Sequence, residues 1–292
     1  MRYEAEHFLA TQNSLGEGAL WSVDEQALYW VDLDSNYFYR WDYRTGQQRT
    51  YDAGQLVGCL RLRANGGLVL AAQHGFAFWD FDQDRLVPVT DPEQRPDIRF
   101  NDGGVDPQGR FWAGSMLFGP QIGNPGGSLY RLDPDHSVHK MVSPVAIPNG
   151  IGWSPDRKTM YHADTTYNTI YAYDYDDATG QIENKRVFVY TPDGPGQPDG
   201  FTIDAEGYIW SCCWDGWSVV RYNPQGQVDS EVHLPVARVT SCAFGGPDLD
   251  ELFITTARTG LTEEQLRQQP QAGDIFRLKT GVKGVRAASF AG

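Results

Sequence analysis

The sequence predicts an all-β chain, a six-bladed β-propeller with four-stranded antiparallel blades around a central channel. Turn formers are abundant and dispersed, with 32 Gly and 17 Pro among 292 residues, which cuts the chain into many short strands. A turn rich in Asp, Pro, Gly or Asn, followed by a short apolar strand, recurs six times. A second, alternating element follows each copy in the same phase.

The first element reads VDEQALYW ending at Trp30, RANGGLVL at Leu70, DPQGRFW at Trp112, SPDRKTMY at Tyr161, DAEGYIW at Trp210 and PDLDELF at Phe253. The second reads NYFYRWD to Asp42, GFAFWD to Asp80, SLYRLD to Asp133, NTIYAYD to Asp174, SVVRYN to Asn223 and GDIFRLK to Lys279. Repeats of roughly 40–45 residues holding several strands are propeller blades. One blade buries little by itself; stacked radially, blades cover each other's faces and leave only short edges. A β-sandwich would have no reason to keep two elements in step six times. No linker or composition break interrupts the run, so residues 1–292 are expected to form one domain. The one helical stretch is Leu261–Gln268, LTEEQLRQ.

Composition narrows the function. Lys and Arg number 24 against 38 Asp and Glu, for a net charge of −14, which disfavours nucleic acid and anionic membrane surfaces as partners. Cys59, Cys212, Cys213 and Cys242 include no CxxC pair. They read as buried thiols of a cytoplasmic protein, neither a disulfide framework nor a thiolate zinc site. The N-terminus, MRYEAEHFLATQNS, has no signal-peptide apolar core, and no apolar run reaches membrane-helix length. Neither GxSxG nor GxxxxGK[ST] occurs.

If the first element is the second strand of each blade, the innermost strand lies about 11 to 13 residues upstream of each anchor. Those steps reach Glu17 in LGEG, Cys59 in VGCL, Asn101 in RFNDGG, Asn149 in PNGIG, Asp199 in QPDGF and Ser241 in TSCAF. Equal phase in a closed ring gives equal radius and height, so these side chains should converge at one channel mouth. Four carry oxygen ligands. Two carboxylates held close would repel unless a cation lay between them, and oxygen donors suit hard or borderline divalent ions. None of the six histidines (His7, His74, His136, His139, His162, His233) falls at this phase; His74 and His162 read as structural, with satisfied ring nitrogens. Trp214 and Trp217 follow an inner strand and could either pack the blade or wall the pocket.

Taken in order, LGEG, RFNDGGVDPQGRFWAGSM, GSLYRLD, PNGIGWSPDRKTMYHADT, NKRVF, PDGFTIDAEGYIW and FGGPDLDELFITTAR resemble the gluconolactonase/regucalcin (senescence marker protein) family over nearly the full chain. The TTARTGL stretch around Arg258 is similar to its bacterial sugar-lactonase branch. The resemblance implies metal-dependent hydrolysis of a sugar-acid lactone, such as a glucono-, xylono- or arabinonolactone, to the open-chain acid. It implies one divalent cation (Ca²⁺, Zn²⁺, Mg²⁺, Mn²⁺ or Fe²⁺) held by Glu17, Asn149 and Asp199. Arg99 and Asn101 would bind substrate. Only Arg99 comes from the resemblance alone; the repeat phase reaches the other four. Some relatives contribute a substrate-contacting Glu from the loop here reading Leu117–Gly127, which has no carboxylate, so the lid should differ.

In that reading Asp199 is both ligand and general base toward water, with Arg99 on a sugar hydroxyl or at the developing oxyanion. A non-catalytic, divalent-cation-binding propeller would share the ligands and lack turnover.

Overall fold

The computed structural model describes all 292 residues. Six sheets stand around a channel. The first four blades follow chain order from axis to rim. Blade 1 comprises Gly16–Ser22, Ala27–Asp32, Tyr37–Asp42 and Gln48–Asp52; blade 2 comprises Val57–Leu62, Leu68–Ala72, Gly75–Asp80 and Arg85–Thr90. Blade 3 comprises Ile98–Val105, Phe111–Leu117, Gly127–Leu132 and Val138–Val145; blade 4 comprises Pro148–Trp153, Thr159–Asp164, Thr169–Tyr175 and Ile182–Tyr190. The two repeated sequence elements are therefore the second and third strands, as their phase predicts.

Blades 5 and 6 close the ring. Blade 5 runs Gln197–Ile203, Ile209–Trp214, Ser218–Tyr222 and Val228–His233, and the N-terminal Arg2–Glu4 adds a fifth, parallel strand outside it. Blade 6 supplies only Val239–Gly245, Glu251–Thr256 and Ile275–Lys279; its outermost strand is Glu6–Leu9, paired antiparallel to Ile275–Lys279. Two ends of the chain thus share one sheet, which removes the open edge a propeller would otherwise present. The N-terminal residues, polar and exposed on their outer face, carry no repeat motif, so this role is invisible in the repeat.

The core is divided as the fold demands. Six apolar clusters fill the six gaps between neighbouring blades. In Ala27–Asp32, Leu28 and Trp30 face blade 6, while Ala27, Tyr29 and Val31 face blade 2, the period of two expected of a strand. Both faces are covered, so second strands are buried throughout, whereas the rim strand Gln48–Asp52 is mostly exposed.

The aspartates of the repeated turns bind the blades together. Asp106 accepts from the Arg110 amide (2.9 Å), Trp112 Nε1 (3.1 Å) and the Tyr175 hydroxyl (2.9 Å). Asp204 occupies the same place in blade 5, accepting from Trp210 Nε1 at 2.9 Å and Arg221 Nη2 at 2.7 Å. The Asp and Trp of DPQGRFW and DAEGYIW are partners, which explains their fixed spacing. The helix spans Glu263–Gln268 behind a Thr262 cap whose capping box is completed by Gln265, two residues shorter at its start than the sequence suggests. No helix is long and apolar enough to cross a membrane.

Candidate metal and substrate site

All six equal-phase positions lie near the start of an innermost strand and are buried. Each of those strands slips register there: between Glu17 and Leu20, Val57 and Cys59, Phe100 and Gly103, Asn149 and Ile151, Pro198 and Phe201, and Val239 and Ser241. A bulge turns a side chain out of its alternating position, and here the bulges bring Asn101 to Asn149 and Glu17 within electrostatic reach of Asp199, whereas Cys59 packs between blades 2 and 3 and Ser241 lines the other half of the channel. Gly18 follows Glu17 with φ of +60°, which a side chain resists, and its amide donates to Glu17 Oε2 at 3.0 Å. At Gly150 a Cβ would overlap the Phe201 ring.

Two aspartates fix the turns that lead into these strands. Asp32 accepts from the Ser14 and Leu15 amides (3.1 and 2.9 Å), just ahead of Glu17. Asp164 accepts from the Ala146 and Ile147 amides (3.0 and 3.1 Å), just ahead of Asn149.

A chain of hydrogen bonds then crosses three blades. Arg99 Nη1 donates to Asn101 Oδ1 (2.7 Å); Asn101 Nδ2 donates to Asn149 Oδ1 (2.9 Å). Asn149 Nδ2 donates to Thr165 Oγ1 (2.7 Å), and Thr165 Oγ1 donates to the Pro198 carbonyl (2.8 Å), one residue before Asp199. Arginine can only donate, so the direction of every later bond follows, and both amides are held with oxygen and nitrogen in defined places. Arg99, Asn101 and Asn149 are therefore brought together, and Asp199 is tied to them through its neighbour.

Burial dominates the electrostatics of this assembly. Burial, then the nearby Asp102 carboxylate, pushes Glu17 up to about 8, against the pull of the Gly18 amide, Arg99 and Arg61. Asp199 is raised well above the usual carboxylate range by burial, then Glu17 and Asp102. Its Oδ1 has no hydrogen-bond partner, an expensive state for a buried carboxylate. Asp102 is itself raised by burial, opposed by Arg61 and the Gly103 amide. Burial lowers Arg99 to about 10, leaving it cationic at neutral pH. Cys59, sharing the ring, is pushed by burial up to about 12 and stays a neutral thiol.

No cluster of three or more His, Cys, Asp or Glu side chains has a metal-ligating arrangement, so a cation here needs the amide oxygen of Asn149 beside the Glu17 and Asp199 carboxylates. That donor set fits a divalent ion: all oxygen, doubly anionic, with an orphaned carboxylate oxygen. Sequence reasoning missed Asp102, Thr165 and Arg61. Asp102 and Thr165 both stand in stretches already singled out; what identifies Thr165 is its hydrogen bonds across to Asn149 and the Pro198 carbonyl. His162 is buried as expected of a structural histidine, yet neither ring nitrogen has a partner, contrary to the satisfied state expected.

The surrounding loops shape the same mouth. Leu117–Gly127 contains a single 3₁₀ turn, Gly119–Gln121, and exposes Phe118 and Ile122. Trp214 packs under the Arg238 guanidinium at 4.7 Å, while Trp217 is partly exposed.

The model of the SMP-30/gluconolactonase/LRE-like region matches residues 15–258. The chain belongs to the SMP-30/gluconolactonase/LRE-like family. Among the relatives of this family member, regucalcin of Danio rerio is 38% identical over 291 residues, covering 99% of each chain. The 6-deoxy-6-sulfogluconolactonase of Pseudomonas putida is 39% identical over 282 residues, covering 95% of each. The crystal structure of a calcium-binding regucalcin from Agrobacterium tumefaciens superposes with a TM-score of 0.94 at 27% identity, covering 99% of both.

Proposed function

We propose that residues 1–292 act as one catalytic unit that hydrolyses a sugar-acid lactone, with one divalent cation held by Glu17, Asn149 and Asp199. Family membership and the 39%-identical sulfogluconolactonase support the reaction class. The observation that carries the site is the buried Glu17–Asp199 pair, whose charges oppose each other and whose Asp199 Oδ1 lacks a partner. The calcium-binding regucalcin supports a divalent ion without fixing which.

When bound, such a cation supplies Lewis-acid polarisation of the lactone carbonyl. Asp199 removes a proton from the attacking water as general base. Asn101 and Arg99, fixed by the hydrogen-bond chain, meet the substrate's ring oxygens and hydroxyls. Arg99 Nη1 is already shared between Asn101 Oδ1 and the Phe100 carbonyl at 2.9 Å, so its remaining donors face the substrate. With no carboxylate in Leu117–Gly127, the lid has only neutral side chains, Gln121 and Asn124 among them, to offer a substrate.

The alternative, a cation-binding protein without turnover, uses the same ligands. Asp199→Asn separates them. It keeps an oxygen ligand and nearly the same shape but removes the charge and the base, so lactone turnover should fall by roughly 10²–10⁴-fold at saturating metal. Asn101→Ala should act mainly on KM. Turnover by Asp199→Asn within about threefold of wild type would remove Asp199 as base.

A further inference from the structure

The far half of the channel is a separate space. A cavity of about 390 Å³ lies where the innermost strands end, opposite the mouth that holds Glu17 and Asp199. Trp21, Trp153, Phe201, Ile203 and Phe244 give it an apolar wall. Its innermost charged residues are Arg61 and Asp102, 3.5 Å apart, with Arg61 Nη1 also donating to the Leu60 carbonyl at 2.7 Å. That volume is in the range of small-molecule sites.

The C-terminal segment roofs this end. It is fastened on blades 5 and 6, where the Ala205 amide donates to Lys283 O and the Gly284 amide to Leu249 O, each at 2.8 Å. It is fastened again on blades 2 and 3, where the Phe290 amide donates to Leu62 O at 2.8 Å and the Ala291 amide to Gly109 O at 2.9 Å. These anchors lie on opposite sides of the ring. Between them Val285–Ala288 line the cavity, and no backbone hydrogen bond holds that span.

The charge on this cavity is opposite to that of the molecule. The chain carries −14, yet the charged residues lining the cavity are Arg61, Arg157 and Arg286 against Asp102 alone. Arg157 and Arg286 are half exposed and pair with the partly buried Asp177 at 3.6 Å and the exposed Asp24, pairs weak enough to exchange for a ligand. The wall thus offers positive charge around an apolar interior.

We propose that this cavity is a second small-molecule site, for a compact organic anion with an apolar body: an aromatic or branched aliphatic carboxylate. The apolar body packs against Trp153, Phe201 and Phe244, and the carboxylate meets the arginines at the rim and floor. The cavity shares no residue with the proposed metal ligands or substrate-binding pair, although Arg61 and Asp102 at its floor lie within electrostatic reach of Glu17 and Asp199.

Isothermal titration of the intact protein with phenylacetate, against its neutral counterpart phenylacetamide, tests this. One phenylacetate per chain should bind, with phenylacetamide at least about tenfold weaker, the usual cost of losing a charge-assisted contact. Ala287→Trp, which fills the cavity from its roof, should abolish binding. Arg286→Glu, an exposed substitution that leaves packing intact, should weaken it by at least about threefold. Saturating gluconolactone should not displace it. Absence of binding at millimolar phenylacetate, equal binding of the amide, survival of binding in Ala287→Trp together with Arg286→Glu, or competition by the lactone would each overturn the proposal. Lactone turnover measured on the same preparations reports on the opposite mouth, so failure there leaves this result readable.

Discussion

Thr165 is where the geometry asks most of one side chain. Its hydroxyl accepts from Asn149 and donates to the Pro198 carbonyl, so it links the strand bearing Asn149 to the strand bearing Asp199. Thr165→Val keeps the shape and strands a buried amide and a buried carbonyl, each worth about 1–3 kcal/mol when unpaired. Loosening the ligands that those groups orient should cost roughly 10–100-fold in metal affinity and kcat/KM, with Thr165→Ser restoring most of it. A Val variant with unchanged metal affinity and kinetics would show that the chain is incidental. His162 makes a different claim. Burial, then the Lys185 charge, lowers it to about 3 from 6.5. The fold therefore refuses a proton that the unfolded chain accepts. Its contribution is intact above pH 6.5 and is lost as pH falls from there toward 3, at up to about 1.4 kcal/mol per pH unit. Denaturant titrations between pH 7 and 5 should show a shallower decline for His162→Leu than for wild type. Parallel declines would contradict the neutral, buried assignment.

Among the elements, the strand Glu6–Leu9 is the one whose sequence hides its importance. It is the outer strand of blade 6, and the Arg277 guanidinium binds its Glu6 while lying 4.7 Å over the Phe8 ring. Deleting residues 1–9 exposes the edge of Ile275–Lys279 and uncovers the packing of Phe8 on Trp41 and Phe253. The truncated chain should unfold at markedly lower denaturant and self-associate through the open edge; a monomeric chain with an unchanged unfolding midpoint would mean the ring closes without it. The inner strands were legible for the opposite reason. Trp30, Trp112 and Trp210 recur because each must fill the gap between two blades, and that periodicity carried Glu17, Asn101, Asn149 and Asp199 with it. What periodicity could not carry were the six bulges, which leave no composition mark, and the contacts across blades that bring Thr165 and Asp102 to the site.

At the scale of the whole molecule, a ring of six blades brings side chains from separate sheets together in one channel, and the proposed chemistry rests on that convergence. It buries three carboxylates, Glu17, Asp102 and Asp199, with Asp102 raising the proton affinity of Glu17, and both raising that of Asp199, and Arg61 and Arg99 as the nearby cations. A state so costly without a counter-ion is one that a divalent cation stabilises, and binding to the folded chain alone should raise the unfolding midpoint with cation concentration. The most direct test is hydrolysis of a panel of aldonolactones, corrected for spontaneous opening at one pH, by the protein as purified, after exhaustive chelation, and after return of Ca²⁺, Mn²⁺ or Zn²⁺. The account predicts turnover of at least one lactone well above the blank, its loss on chelation, and its recovery with a single equivalent of one of these ions. Turnover that survives chelation with no ion bound, or none with any ion although the site is filled, would contradict it.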